Sequence, residues 1–310
     1  NSSRGARTFL YPNGTQAEQG ENGSANTTLV DGVQKFLKGG FSVEDQTNVN
    51  QSGNSFVSWN WSCNSGTTES ISAGGGIDVA STVQKNTTAG FSIVEFTTPS
   101  STQDFTTGHG LSVAPRVFFF KRLDSTSGWA FYHQDNFDAN GTEHTLFLNL
   151  NNASYAPNPG TAFYPSATTA TTFSLRAGAS IATSANCVAY CFNEVEGFSK
   201  FGKYTGNGDP DGPFVYTGFK PAWIMIKQTN STGGWIMTDT KRSPFNPVDK
   251  LLSANLTNTE STFTSLDILS NGFKQRNTDT GFNGSSSTYI YMAFAEHPFV
   301  GDGTNPVTAR

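Results

Sequence analysis

Charge is scarce in this chain. Lys, Arg, Asp and Glu make up 14% of its 310 residues, against roughly a quarter in an average soluble protein. Ser, Thr, Asn and Gly must therefore supply the surface. The formal net charge is −5 and no run of Lys or Arg occurs, which argues against nucleic acid as a partner. No run of about 18 apolar residues exists, so no membrane-spanning helix is expected. Histidine is rare too. His109, His133, His144 and His297 never stand at the short spacings that a metal site needs, and no metal or other cofactor is expected. Only Cys63, Cys187 and Cys191 are available as thiols. Cys187 and Cys191 on one strand would lie about 13 Å apart by strand rise, too far for a disulfide. Three buried free thiols are the simplest reading.

Phe and Gly are plentiful instead, at 26 and 32 residues. That balance favours short strands joined by tight turns. One phrase organises the chain. In 284–299, GSSSTYIYMAFAEHPF, residues 288–294 alternate Tyr289, Tyr291 and Ala293 with Ile290, Met292 and Phe294. Period two with large groups on both sides predicts a strand buried on both faces. Similar phrases stand at 185–192 (ANCVAYCF) and 54–61 (NSFVSWNW), each following a turn and ending in Phe294, Phe192 or Trp61.

Other marks recur with these phrases. Gly197-Phe198-Ser199 answers Gly90-Phe91-Ser92, Trp223–Lys227 answers Val117–Lys121, and Trp235 answers Trp129. The interval of about 106 residues is domain-sized rather than solenoid-sized. The fold class that follows is all-β: tandem antiparallel β-sandwich modules, jelly-roll-like, the first incomplete. The boundaries are 1–66 for a partial sandwich and 67–88 for a Gly/Ser/Thr-rich linker or edge excursion. The second sandwich is 89–196 and the third, with its tail, 197–310. In the first unit, Asn1–Leu10 parallels Asp239–Leu252, and Val33–Ser42 parallels Leu266–Lys274. Nothing before Arg4 answers the strand pair around Trp223 and Trp235. A removed or missing N-terminal part is one expectation; strands from a neighbouring chain are the other.

Little in the sequence suggests catalysis. Asp209-Pro-Asp211-Gly212 has half of a calcium loop, but no closing acid follows, and the turn reading is preferred. Glu194 and Glu196 share a strand face, yet Glu296 repeats Glu194 in the next copy, which suits packing at a module end better than a carboxylate pair. Gly74-Gly75-Gly76 lacks the residues that would hold a phosphate, and no nucleophile elbow occurs. Catalytic residues are therefore not assigned. Aromatic residues are the stronger candidates. Tyr155, Phe163 and Tyr164, in a Pro-rich loop, could face sugar rings, or they could close an open end of the sandwich.

The phrases EVEGFSKFGKYTGNGDPDGPFVYTGFKPAWIMIK (194–227) and LDILSNGFKQR with STYIYMAFAEHPF (266–299) resemble a repeat domain in structural proteins of marine tailed bacteriophages. That domain often follows a concanavalin-like lectin sandwich, which has no counterpart here. The resemblance implies a virion protein, fibre-like or surface-decorating, that contributes to host attachment and supplies no catalytic residues. A lectin-like adhesin is the alternative, and a polysaccharide depolymerase a more distant one. The partners implied are other virion proteins, host-surface polysaccharide and further copies of the chain. Phe56, Trp59 and Trp61 need cover, and a homo-oligomer, by analogy with phage fibres a trimer, is expected to provide it.

Overall fold

The computed structural model describes residues 10–18, 32–37, 40–45, 47–63, 67–137, 144–155, 168–178 and 181–296. Their one α-helical turn is α1 (Thr47–Asn50); the remaining regular structure is antiparallel β, so the all-β sandwich expectation holds. In the first unit, β1 (Val33–Leu37) and β2 (Gly40–Val43) form a hairpin. The second unit holds β3 (Glu69–Ile71), β4 (Ser81–Asn86), β5 (Phe91–Thr97), β6 (Asp104–Gly108), β7 (Val117–Arg122), β8 (Ala130–His133), β9 (Leu146–Phe147), β10 (Thr172–Arg176) and β11 (Asn186–Phe192). The third holds β12 (Ser199–Thr205), β13 (Phe214–Tyr216), β14 (Pro221–Gln228), β15 (Trp235–Asp239), β16 (Val248–Ser253), β17 (Ser261–Leu269), β18 (Gly272–Gln275) and β19 (Thr288–Ala295).

In the second unit the main sheet runs β3-β4-β5-β11-β7-β8-β9, and β10-β6 forms the opposing layer. In the third, β12-β19-β14-β15-β16-β17-β18-β13 is continuous. The chain bends within β16, which pairs β15 through Leu252 and Ser253 and β17 through Val248–Leu251. A strand that serves both layers nearly closes the sheet around its own core. Leaving out β3, β4 and β17, the two units follow one order of connection. The registers also agree: Val117 opposes His133 as Trp223 opposes Asp239, and Ala130 opposes Phe147 as Ile236 opposes Ser253. Phe192 sits opposite Val117 as Phe294 sits opposite Trp223. Gly90 and Gly197 precede the equivalent strands β5 and β12 at φ 66 and 72, a turn that only Gly adopts cheaply.

Three apolar cores explain the two-sided strands. Cys187, Ala189 and Cys191 of β11 face the sandwich core of the second unit, with Phe96, Phe118 and Phe173. Tyr289, Tyr291 and Ala293 of β19 face that of the third, with Ile224, Val248 and Phe273. The opposite faces, Val188 and Phe192 on β11 and Ile290, Met292 and Phe294 on β19, meet in a third core shared by the units. Period-two alternation thus sorts side chains between two dry interiors rather than between core and water.

Of the two readings of residues 67–88, linker or edge excursion, the structure has the second: β3 and β4 extend the second sheet at its edge, and Val83 is fully buried in its core. Another expectation is corrected. Residues 54–61 pair with no strand among the described residues, although their side-chain pattern predicts one. In the other units the closing strand lies between two partners, β5 and β7 or β12 and β14. The first unit offers no such partners among the described residues, and a strand without a ladder is only an extended chain.

All three cysteines are free and buried, and burial pushes the Cys63 and Cys187 thiols up to about 12. A thiol-reactive chromophore should therefore modify the native chain slowly at neutral pH and the unfolded chain at all three positions. Reducing agent should leave the melting temperature unchanged; a drop of several degrees would reveal a disulfide.

Candidate assembly site on an aromatic axis

The shared core closes on three rings, one from each unit. Trp61 and Phe192 are 6.2 Å apart between centroids, Trp61 and Phe294 5.4 Å, and Phe192 and Phe294 5.9 Å. Each ring is inclined to the next by 78°, 69° and 65° respectively. The three rings thus make a near-equilateral triangle of edge-to-face contacts. These are also the terminal aromatics of the three recurrent phrases.

The seams between neighbouring units repeat one set of hydrogen bonds. The Trp129 indole N–H donates to the Tyr11 carbonyl at 2.7 Å, and that of Trp235 to the Phe147 carbonyl at 3.0 Å. Ser127 N–H donates to Thr15 O at 2.8 Å as Gly233 N–H does to Asn151 O at 2.7 Å. Glu18 N–H reaches Leu123 O at 3.0 Å as Ser154 N–H reaches Thr229 O at 2.8 Å. Within each donor unit the tryptophan amide is held by an asparagine, Trp129 N by Asn149 Oδ1 and Trp235 N by Asn255 Oδ1. The acceptor segments read Leu10-Tyr-Pro-Asn13-Gly-Thr15, Leu146-Phe-Leu-Asn149-Leu-Asn151 and Leu252-Ser-Ala-Asn255-Leu-Thr257. This short recurrence was the available signal for the seams. It is easily overlooked, because the accepting groups are backbone carbonyls.

Two lysines lie beside these tryptophans with almost no exposure. Lys121 Nζ donates to Thr15 O at 3.0 Å and Ser127 O at 2.8 Å; Lys227 Nζ donates to Gln228 O at 2.6 Å. Burial draws both ammonium groups down to about 8. His133 Nδ1 accepts the Asp135 amide, so Nε2 carries the proton and donates to Tyr291 O across the seam at 3.3 Å. At the same junction Arg116 pairs with Glu194 at 3.2 Å, and Lys200 with the other Glu194 oxygen at 3.0 Å.

The predicted contact residues fall in different places. Trp59 and Trp61 are covered by their own chain. Trp61 packs on Trp223 at 5.4 Å, and Trp59 lies 6.2 Å from Trp223 and beneath the Arg242 guanidinium at 5.5 Å. The Trp59 indole N–H donates to Asp239 Oδ2 at 3.3 Å. Phe56 remains exposed. The third unit thus covers part of both tryptophans, which remain half-buried. Tyr155 is exposed, bridges to Thr145 and sets its ring edge-on to Phe147 at 6.1 Å. Phe163, Tyr164 and His297 lie outside the described residues.

The weaker candidates have structural partners. The Asp209 carboxylate accepts the Asp211 amide at 2.7 Å, and Asp211 pairs with Lys274 at 2.9 Å. Glu194 Oε1 also accepts the Phe201 amide at 2.8 Å, which fixes the start of the third unit. Glu296, its counterpart, pairs with Lys241. His109 is buried, with Nδ1 accepting the Leu111 amide and Nε2 donating to Thr169 O. Among the described residues no group of three or more His, Cys, Asp or Glu could hold a metal ion, and no helix is long and apolar enough to cross a membrane.

Burial lowers His133 to about 3 and His109 to about 4. Both stay neutral in the folded chain at neutral pH, whereas unfolding releases them to titrate near 6.5. Their contribution is complete above that value and is lost as pH falls toward the folded values. The slope is about 1.4 kcal/mol per pH unit for each histidine. Urea unfolding at pH 7.5, 5.5 and 4.5 should show this decline. His133→Gln, which keeps a donor for Tyr291 O, should flatten it by one histidine's share. A pH-independent difference between the two proteins would refute the assignment.

The comparisons with known proteins give one match. No curated protein and no solved structure matches the chain. A family described as "Domain of unknown function (DUF7483)" matches residues 1–298, nearly the whole chain. The chain therefore belongs to that family of unknown function, and its axis and seams lie within the matched residues.

Proposed function

We propose that this chain is a structural component of a bacteriophage particle, fibre-like or surface-decorating, in which three copies of one β-sandwich module stand about a pseudo-threefold axis. The reading assigns it no catalytic role. The observation that carries the reading is the axis itself: Trp61, Phe192 and Phe294 meet at nearly equal distances, and both seams repeat the same bonds. Heterologous contacts related by one rotation either close a ring or grow a filament. Here the triangle of rings supports closure within one polypeptide. The phage assignment rests on the resemblance carried by 194–227 and 266–299.

A ring of units inside one chain does the work that a homotrimer does in a symmetric fibre. The first argument for self-association, uncovered Trp59 and Trp61, is weakened by their packing on Trp223. The partners proposed are therefore other virion proteins and host-surface polysaccharide. Mass spectrometry and labelled-antibody microscopy on purified particles test this. The chain should be found in many copies on the exterior; its presence only in the particle-free lysate would refute a virion role.

One observation favours a lectin-like reading beside this one. Tyr155 presents an exposed ring edge-on to Phe147 at a loop end, and such a face suits a sugar ring. Tyr155→Ala should weaken binding to host polysaccharide about tenfold with an unchanged melting temperature, since an aromatic contact contributes roughly 0.5–1.5 kcal/mol beyond buried area. Equal binding by both proteins would remove Tyr155 from the contact.

A further inference from the structure

Among the described residues one seam stands without its donor. In the two occupied seams a strand pair brings a tryptophan against an acceptor segment of the preceding unit, Trp129 to Tyr11 O and Trp235 to Phe147 O, with a buried lysine beside each; Lys121 also reaches Thr15 O of that segment, whereas Lys227 bonds within its own unit. The third acceptor segment, Leu252–Thr257, already makes the internal half of the arrangement, since Asn255 Oδ1 holds the Trp235 amide. Its outer half is bare. Leu256 is 43% exposed, Thr257 is exposed, and neither carbonyl accepts a hydrogen bond among the described residues. Leu150 and Asn151, at the corresponding places one unit earlier, accept from Trp235 and Gly233.

The first unit is bare on the matching side. Residues 55–61 have no ladder partner among the described residues, and Phe56 is 52% exposed. Trp223 Nε1, which belongs to the third unit and packs against Trp59 and Trp61, is buried without a hydrogen-bond partner. An acceptor segment without its donor, a closing segment without a ladder and an orphaned donor packed on that segment are the three marks of one open seam.

We propose that this gap is a docking face for one further sheet segment of the β12–β15 type, with flanking strands for 55–61 and a Lys–Trp strand pair for Leu252–Thr257. This rests on the modular reading above. The partner is a polypeptide segment of the module's own sequence type, not a second copy of the chain. In a second copy the equivalent strands β5, β7, β12 and β14 are already paired into its own sheets. The threefold geometry admits one such segment and then closes.

The test joins a copy of residues 197–238 ahead of Asn1 in the full chain, because Asn1–Arg4 parallels Asp239–Arg242. Hydrogen exchange should slow at amides 55–61 by on the order of 100-fold, and the protein should stay monomeric by light scattering. Replacing the added tryptophan by Ala, or Leu256→Arg in the chain itself, should abolish most of that protection; Leu256→Arg should leave the melting temperature of the unextended chain unchanged. A second arm adds a separate 197–238 polypeptide to the unmodified chain, so that misfolding of the extended protein does not decide the outcome. Protection at 55–61 in either arm, lost with the Trp→Ala copy, supports the proposal. Unchanged exchange in both arms overturns it, as does a dimer of the unextended chain that already protects 55–61. Loss of this docking alone leaves the virion assignment standing, whereas absence from particles leaves the docking chemistry untouched.

Discussion

The structure depends on closing strands that have no wet face. β11 and β19 each divide their side chains between a sandwich core and the shared axis. Neither strand can carry a charge without burying it, and none of their residues is charged. Burying a large apolar side chain stabilises by roughly 1.5–3 kcal/mol, and favourable ring pairs add about 0.5–1.5 kcal/mol each. These strands therefore contribute twice, once within a unit and once between units. Separating the units would expose one complete face of each main sheet, an apolar surface that water strongly disfavours. The scarcity of charge across the chain fits a protein that carries this much buried interface, with Ser, Thr, Asn and Gly left to cover the outside.

Apolar contact alone would hold the units together without fixing how they sit. The seams supply that registration through polar groups. An indole N–H has one direction in which to donate, and in both seams it points at a carbonyl of the preceding unit. The buried lysines act alongside under a tighter constraint. An ammonium removed from water is costly unless it finds acceptors, and Lys121 finds Thr15 O only when the first two units are in register. A slip of one residue would cost the ammonium that acceptor and leave it those of Ser127 alone. Burial draws the group down to about 8, so deprotonation relieves the desolvation cost as pH rises through that value. The Lys121 contribution therefore rises with pH from about 8 toward the ordinary lysine value of about 10.5.

Sequence made the strands and their double burial legible because both are properties of side-chain alternation. Tyr289, Tyr291 and Ala293 do face away from Ile290, Met292 and Phe294, into separate cores. Trp129 and Trp235 do occupy corresponding buried positions, with matched amide and indole bonds. The same logic failed at 54–61. Alternation tells which way side chains point, but a strand also needs neighbours, and Phe56–Trp61 has none in a ladder among the described residues. The internal cover of Trp59 was illegible for a related reason. Its partners Asp239 and Arg242 lie far along the chain, and no local pattern marks them. The seam acceptors were hardest of all, since a carbonyl leaves no mark on the residue that carries it.

The difference between the first unit and the others explains its side chains. Where β11 ends in Tyr190 and Phe192 and β19 in Met292 and Phe294, the first unit has Trp59 and Trp61. A strand held by two ladders keeps its place through the backbone, so its side chains need only fill space. Among the described residues nothing gives 54–61 that support, and what their side chains touch holds them. Tryptophan offers the largest apolar area and a donor in one group. Trp61 uses the area, contacting Phe192, Trp223 and Phe294. Trp59 uses both, lying beneath Arg242 while its N–H donates to Asp239. The Arg242–Asp239 pair at 2.6 Å fixes the guanidinium over that ring, so the anchor is braced from the third unit. Side-chain anchoring of this kind keeps the axis closed while leaving the backbone of 55–61 free to accept strands on either side.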